Sequence, residues 1–470
     1  MMLKSFKSLL ISSVALAALS TSVQAETLDE ALGLAYQNNP TLLAARAALR
    51  ATDENVAIAL SGWRPSLSLN GNVARTRSET NIISGASSGA VFGSGTTLRT
   101  QETVAAQFRQ PLFRGLKTTA GTDQAKAQVM AQRARLQSSE AQVLFDAAQA
   151  YLDVLRDQAV VELQRNNVQV LTRQFEATTD RFNVGEITKT DVAQAQARLE
   201  GSKASLIQAE SDLARSRASY ENSVGKAPEA LVSPTAAKGL PISVEEAVDA
   251  SIKANPAYLA ADFTAQAAQN GIDVSRGDLL PSADLEANYQ KGWDTVANKS
   301  TAITAQARAV LTVPIYQQGA EYARLRQAKH TAGQRRLEAD QARLDARENA
   351  TAAYKAYEAA TASIVSLKSQ IEASKIALEG VQREAEVGSR TVLDVLDAEQ
   401  ELLNARVNLV RAERTQVVAS YQLLSTTGRL TAESIGLKVA MYDPTTHYND
   451  VRYQAFGSST AADDDAKKAK

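Results

Sequence analysis

The side chains of this 470-residue chain with the clearest chemical potential are carboxylates, and they suit the handling of ions better than the making of bonds. Asp394 and Asp397 stand three apart, on one face of any helix that contains them. Asp394 lies six residues beyond Gly388, and Asp191 lies six beyond Gly185. Gathered carboxylates raise one another's proton affinity and attract cations, so a ring of them would favour cation passage when wide and hold multivalent cations when narrow. Arg390 and Thr190 sit in the same two segments and extend the polar set. Catalysis has no comparable set: His330 and His447 are the only histidines and both are isolated, cysteine is absent, and no phosphate loop or nucleophile motif occurs. No enzyme activity, cofactor or metal is expected, and the Asp463-Asp464-Asp465 run with Lys467, Lys468 and Lys470 reads as a mobile solvated tail.

The elements that position these residues are long helices broken by tight glycine turns. Val154, Val161, Val168, Phe175 and Phe182 repeat every seven residues, as do Ile364, Ile371 and Leu378 beside Leu367 and Val381, the pattern of a coiled-coil seam. No proline interrupts either stretch. From residue 116 to 182 at ~1.5 Å per residue the first rod is roughly 100 Å long, so it is built to bridge distance. Each rod ends in a glycine turn, Arg181-Phe182-Asn183-Val184-Gly185 and Glu384-Ala385-Glu386-Val387-Gly388, after which helix resumes as the second arm of an antiparallel hairpin.

The chain is an internal repeat. Thr27-Leu28-Asp29-Glu30-Ala31 leading to Asn39-Pro40 recurs as Ser243-Val244-Glu245-Glu246-Ala247 leading to Asn255-Pro256, and Pro65 recurs in register as Pro281. Thr27 and Ser243 are capping residues with glutamate three positions on. After Pro65 and Pro281 the period becomes two: Leu67, Leu69 and Val73 oppose Ser66, Ser68, Asn70 and Asn72. Val104, Ala106, Phe108 and Leu112 oppose Thr103, Gln107 and Arg109, with a glycine- and serine-rich loop from Ser84 to Thr97 between the two strands. The second repeat sets Ala283, Leu285, Ala287 and Tyr289 against Asp284, Glu286, Asn288 and Gln290, and then Ile303, Ala305, Ala307, Ala309, Leu311 and Val313 against a more polar face. Such strands are long enough to cross an outer membrane with a polar side facing a lumen. Four strands cannot close a barrel and an open sheet edge cannot sit in lipid, so a membrane reading requires several chains; three would give twelve strands. Trp63 and Trp293, at strand ends, suit the two interfaces.

Lys4 and Lys7, the apolar stretch Leu9 to Leu19 and the site Val23-Gln24-Ala25 read as a secretory signal, with Glu26 first after cleavage. No other run approaches ~18 consecutive apolar residues, which excludes inner-membrane helices. A net charge of −1 offers nucleic acid no basic footprint, and 44% hydrophobic with only 5% aromatic residues favours long, closely packed helices.

These features together resemble the TolC family of outer-membrane efflux proteins. The resemblance rests on the paired Asn39-Pro40 and Asn255-Pro256, the tip Arg181 to Gly185, and the run Val387-Gly388-Ser389-Arg390-Thr391 through Asp394-Val395-Leu396-Asp397-Ala398. It implies a mostly α fold with transmembrane β: two repeats of helix, β-hairpin and long helical hairpin, forming in a homotrimer a twelve-stranded β-barrel and a twelve-helix periplasmic α-barrel. The expected layout is a signal peptide (1–25) and a first repeat (26–240; strands 64–76 and 101–113, helical hairpin 116–224). A second repeat (241–428; strands 282–293 and 301–313, hairpin 318–427) and a C-terminal equatorial segment with tail (429–470) follow. The implied role is the exit duct of a tripartite efflux or type I secretion system in the outer-membrane lipid, fed by a periplasmic adaptor (membrane fusion protein) and an inner-membrane transporter of RND, ABC or MFS type. The resemblance places Asp394 and Asp397 in acidic rings at the periplasmic entrance, Arg390 with Thr190 and Asp191 in the latch that closes it, and Val184, Gly185, Val387 and Gly388 at adaptor-docking tips. Where relatives carry a latch tyrosine, this chain has Ala385. The competing reading is a periplasmic coiled-coil adaptor or bridging protein, which would need no lipid-facing strands.

Overall fold

A computed structural model describes residues 26–82, 93–295, 297 and 299–460; the expected leader, most of the Ser84 to Thr97 loop and the tail from 461 lie outside the described residues. In chain order the elements are α1 (Leu28–Asn38), α2 (Pro40–Leu60), β1 (Ser66–Ile82), β2 (Gly93–Arg114), α3 (Lys117–Asn183) and α4 (Lys189–Val224). The second repeat gives α5 (Val244–Ala254), α6 (Pro256–Gly277), β3 (Ser282–Trp293), β4 (Thr301–Thr312), α7 (Ala320–Glu386) and α8 (Val392–Thr426), followed by the short α9 (Thr446–Val451). By compactness the chain divides into two units, one of Met1–Ala35, Ala147–Ala236 and Leu367–Val417, the other of Tyr36–Asp146, Ala237–Ser366 and Val418–Lys470.

The repeated Asn-Pro pair makes the same joint twice. Asn39 and Asn255 hold near-identical extended conformations (φ −65, ψ 122 and φ −64, ψ 120) and cap α2 and α6, with proline first in each helix. Asn39 Oδ1 accepts the Thr41 N–H at 2.9 Å, and Asn255 Oδ1 accepts those of Ala257 and Tyr258 at 3.0 and 3.1 Å. Proline has no N–H to lose there and its φ is preset for helix. Thr27 and Glu30 form a reciprocal capping box. In the second repeat Ser243 caps Glu246, but the Glu246 carboxylate reaches back one residue further, to the Ile242 N–H.

The four strands form one antiparallel sheet in chain order, β1-β2-β3-β4. Its register puts Leu67, Phe108, Ala287 and Ala307 in one row, and Leu69, Ala106, Tyr289 and Ala305 in the next, so the apolar alternations of all four strands fall on one face. Leu112 departs from expectation. A bulge between Pro111 and Phe113 removes it from the ladder, and Phe113 pairs with Ala283 in its place. Beyond the bulge the strand's sidedness is therefore inverted. Trp63 does not enter β1 but closes a 3₁₀ turn over Ser61–Trp63, 40% exposed. β1 and β2 run well past the expected 64–76 and 101–113, to Ile82 and from Gly93, so this hairpin outreaches β3 and β4.

In the sheet-bearing unit α7 is seated by alanines. Ala332, Ala339, Ala346, Ala353 and Ala360 recur every seven residues and are all at most 8% exposed. Small residues on a heptad allow helix axes to approach closely, and Ser251 of α5 lies against this stripe, its Oγ 3.0 Å from the Ala346 carbonyl and 2.9 Å from that of Thr426. In the other unit Glu26 is clamped. Tyr151 Oη lies 2.8 Å from the Glu26 carbonyl and 2.7 Å from that of Val232, and accepts the Val232 N–H at 2.9 Å, while Tyr220 donates to the Glu26 carboxylate at 2.8 Å. Both tyrosines are fully buried, and burial pushes the Tyr151 hydroxyl up to about 12.

Candidate functional site: the polar sheet face and the helical tips

The sheet face opposite the apolar one carries amides, hydroxyls and a belt of charge. Asn70, Asn72, Gln107, Asn288, Gln290, Thr304 and Gln306 share it. Towards its helix end Arg109 pairs with Asp284 at 2.8 Å and Arg308 with Glu286 at 2.7 Å. Arg109, Glu286 and Arg308 occupy one row, so positive, negative and positive charges alternate across β2, β3 and β4. Opposite charges facing across strands stabilise the register, and a charge-balanced belt passes solutes of either sign with little bias.

Each glycine turn is built the same way. Gly185 and Gly388 have φ of 81° and 78°, a conformation in which a Cβ would be strained. The Glu186 N–H reaches the Arg181 carbonyl at 2.9 Å, and the Ser389 N–H reaches that of Glu384 at 2.9 Å, closing the two helix ends alike. Val184 and Val387 are left at the apices, 79% and 80% exposed. An ion pair braces each turn within one chain: Arg181 with Glu186 at 2.7 Å, Arg390 with Glu384 at 2.9 Å.

The aspartates six residues beyond the glycines share one local task. Thr188 caps α4 and Thr391 precedes α8. The Asp191 and Asp394 carboxylates each accept the backbone N–H of their threonine at 2.9 Å, and its hydroxyl at 2.7 and 2.8 Å, while each threonine hydroxyl accepts the aspartate N–H at 3.3 Å. These bonds hold both carboxyls below the ordinary carboxylate range. Within one chain the direction at Asp394 is therefore downward, opposite to the rise expected from crowding with Asp397. Asp397 turns elsewhere, to Arg198 of α4 at 2.5 Å. Beside it Leu171, Leu199, Val392 and Leu396 form a buried cluster with Val168 and Phe175 against it, so part of the heptad seam packs as read.

Within one chain the sequence-picked set is thus split three ways. Asp394 serves the start of its own helix, Asp397 bridges to α4, and Arg390 pairs with Glu384; the exposed Thr190 and the capping Asp191 do not meet Arg390. Arg198 and Glu384 went unnoticed in the sequence. Arg198 lies 199 residues from its partner, and no local spacing marks it. Glu384 was visible inside the tip motif, six residues before Arg390.

Comparison with known proteins gives one consistent answer. The family model described as outer membrane efflux protein matches residues 31–226 and 247–429, one match per repeat. The chain is 37% identical over 437 residues to the outer membrane efflux protein BepC of Brucella suis, covering 93% of this chain and 92% of that protein. It is 27% identical over 454 residues to the outer membrane protein TolC of Vibrio cholerae, covering 91% and 98%. Among solved structures, the Campylobacter jejuni CmeC outer membrane channel superposes with a TM-score of 0.76 at 15% identity, covering 90% of this chain and 89% of that one.

Proposed function

This chain belongs to the outer membrane efflux protein family, and from that premise we propose that three copies close one water-filled passage built of β-barrel and helical tunnel. As a family member it is an outer-membrane exit duct for efflux or type I secretion. The observation that carries the trimer is the sheet itself. One face is predominantly apolar, the other predominantly polar, and β1 and β4 each leave an edge unpaired. An edge strand's free N–H and C=O groups are tolerated in hydrocarbon only when another strand takes them up, so β4 of one copy pairs with β1 of the next until twelve strands close. The row from Ala283 to Trp293 spans about 33 Å along the strand, or about 25 Å of height at a tilt of about 40°, close to the apolar band such barrels present.

Other residues require covering as well. Leu337 and Leu344, seven apart on α7, are 70% and 56% exposed in one chain, a seam for a neighbouring helix. Val184, Gly185, Val387 and Gly388 are the surface offered to a periplasmic adaptor, which links the duct to an inner-membrane transporter of RND, ABC or MFS type. Around the threefold axis Asp394 and Asp397 form the acidic entrance, and Arg390, Thr190 and Asp191 meet between neighbouring chains to keep it narrow. A bridging adaptor has no use for a lipid-facing sheet, which leaves the duct as the reading that accounts for both faces. The proposal is tested by the mass and conductance of the purified mature protein: a trimer that carries current supports it, and a monomer without current removes it.

A further inference from the structure

The apolar sheet face stops abruptly at its hairpin end. Its last row is Val73, Glu102, Trp293 and Thr301. The next two residues of β1 on the same face are Arg75 and Arg77, both exposed, opposite Thr100 and the exposed Leu98. One row inside the margin Lys291 shares the face, its Nζ 5.0 Å from the Trp293 ring centroid, so its ammonium reaches towards the same edge. Arg109 and Arg308 on the opposite face are both engaged by carboxylates, whereas among the described contacts no ion pair occupies Arg75, Arg77 or Lys291. Glu102 stands in the row between Lys291 and Arg75 and Glu79 follows Arg77 on the same face, and neither forms an ion pair with the three cations among the described contacts. The other margin of the apolar face, at Phe113, Ala283 and Leu311, carries no cation on that side.

We propose that Arg75, Arg77 and Lys291 form a binding site for the phosphate of a lipid headgroup in the outer leaflet. The inference rests on the reading of this sheet as a membrane wall. An arginine directly above the hydrocarbon limit meets the headgroup layer, and its planar fork matches phosphate oxygens in pairs. A lysine rooted within the apolar band reaches the same layer by snorkelling, and the tryptophan beside it fixes the depth. Arg75, Arg77 and Lys291 share the lipid side at the margin remote from the helices, which faces outward in the duct, whereas the cations of the opposite face look into the lumen.

The test uses the purified full-length mature protein in neutral detergent. The probes are a diphosphorylated glucosamine lipid, the same lipid stripped of both phosphates, and inorganic phosphate, with binding read by native mass spectrometry. The expected result is preferential binding of the phosphorylated lipid, without competition from inorganic phosphate at equal concentration. At about fivefold per cation, the combined Arg75→Gln, Arg77→Gln, Lys291→Gln variant should bind about a hundredfold more weakly. Arg99→Gln, which removes a charge at the same height on the opposite face, should bind as the parent does. Equal binding by the triple variant, equal loss in Arg99→Gln, or displacement by inorganic phosphate would overturn the proposal. Single-channel current and mass separate the premises: a conducting trimer with no phosphate preference defeats this site alone, whereas a monomer without current defeats the duct.

Discussion

Asp397 on α8 meets Arg198 on α4 at 2.5 Å, and this pair ties the helix that follows the second tip to the helix that follows the first. Both side chains are half exposed, so the pair stabilises the fold by only about 0–1 kcal/mol. Its larger effect is on charge, because the guanidinium masks a carboxylate assigned to the entrance. Arg198→Ala should therefore raise cation preference in reversal-potential measurements with hardly any change in melting temperature. Asp394→Ala with Asp397→Ala should lower it. Unchanged selectivity in both would take these residues out of the constriction.

The two capping boxes give the tips an acid limit. The Asp191 and Asp394 carboxyls lie below their ordinary values, so the stability they add is present above the usual carboxylate range and is lost as pH falls through their lowered folded values. Amide exchange at residues 188–192 and 391–395 should accelerate below about pH 4, ahead of the rest of each helix. Thr188→Ala should produce faster exchange there at neutral pH, with a local cost of about 1 kcal/mol. Exchange that ignores both changes would mean the caps are ornamental.

Arg390 is assigned to the latch, yet in one chain it braces its own turn through Glu384. Arg390→Ser should raise conductance in bilayers without adaptor. Glu384→Gln separates the two duties, because it loses the brace while keeping the arginine. Higher conductance in the first and not in the second locates the arginine's partner on a neighbouring chain; no change in either leaves it a brace.

Asp53 of α2 is fully buried, and neither of its carboxylate oxygens finds a donor among the described residues. Burial pushes its carboxyl up from 3.8 to about 6, against the opposing pull of Arg133 and His447, with Glu54 adding to the rise. Between those values the folded chain holds more protons than the unfolded one, so this group contributes stability that grows as pH falls from about 7 to about 4. Asp53→Asn should raise the neutral-pH melting temperature by about a few degrees and flatten its pH dependence relative to the parent. A variant that melts lower at pH 7 would show that the ionised carboxylate is needed.

The clamp on Glu26 depends on one phenol. Tyr151→Phe leaves the buried Glu26 carbonyl and the part-buried Val232 carbonyl and N–H without that hydroxyl, and should cost about 1–3 kcal/mol in denaturant unfolding. A loss below about 0.5 kcal/mol would mean that water replaces it without penalty.

The sheet was largely legible because period-two alternation survives wherever one face is apolar: the Leu67, Ala106 and Ile303 sides all landed on the same face. Legibility failed where the pattern itself changed. A bulge moved Leu112 out of register, and beyond Val73 the positions on the apolar face become Arg75 and Arg77, so the alternation ends although the ladder continues to Ile82. The offset between repeats shrinks from that of Pro65 and Pro281 to that of Gly185 and Gly388, and the difference lies in this longer first hairpin. On α7 the visible heptad of Ile364, Ile371 and Leu378 gave the seam, but the alanine stripe from Ala332 to Ala360 was hidden because alanine is also the default helix former. At the tips the spacing of Asp191 and Asp394 from glycine points to the latch and the entrance ring respectively, while the threonine three residues before each marks a helix cap. The Arg198–Asp397 pair joins distant segments, and only the fold could bring it to light.

Polypeptide from three copies is proposed to enclose a single conducting passage. Light scattering of the mature protein in mild detergent, followed by reconstitution of the same fraction into planar bilayers, tests it most directly. A mass of three chains and stepwise ionic current are expected. A stable monomer, or a trimer that leaves the bilayer silent in every variant designed to widen the entrance, would contradict it.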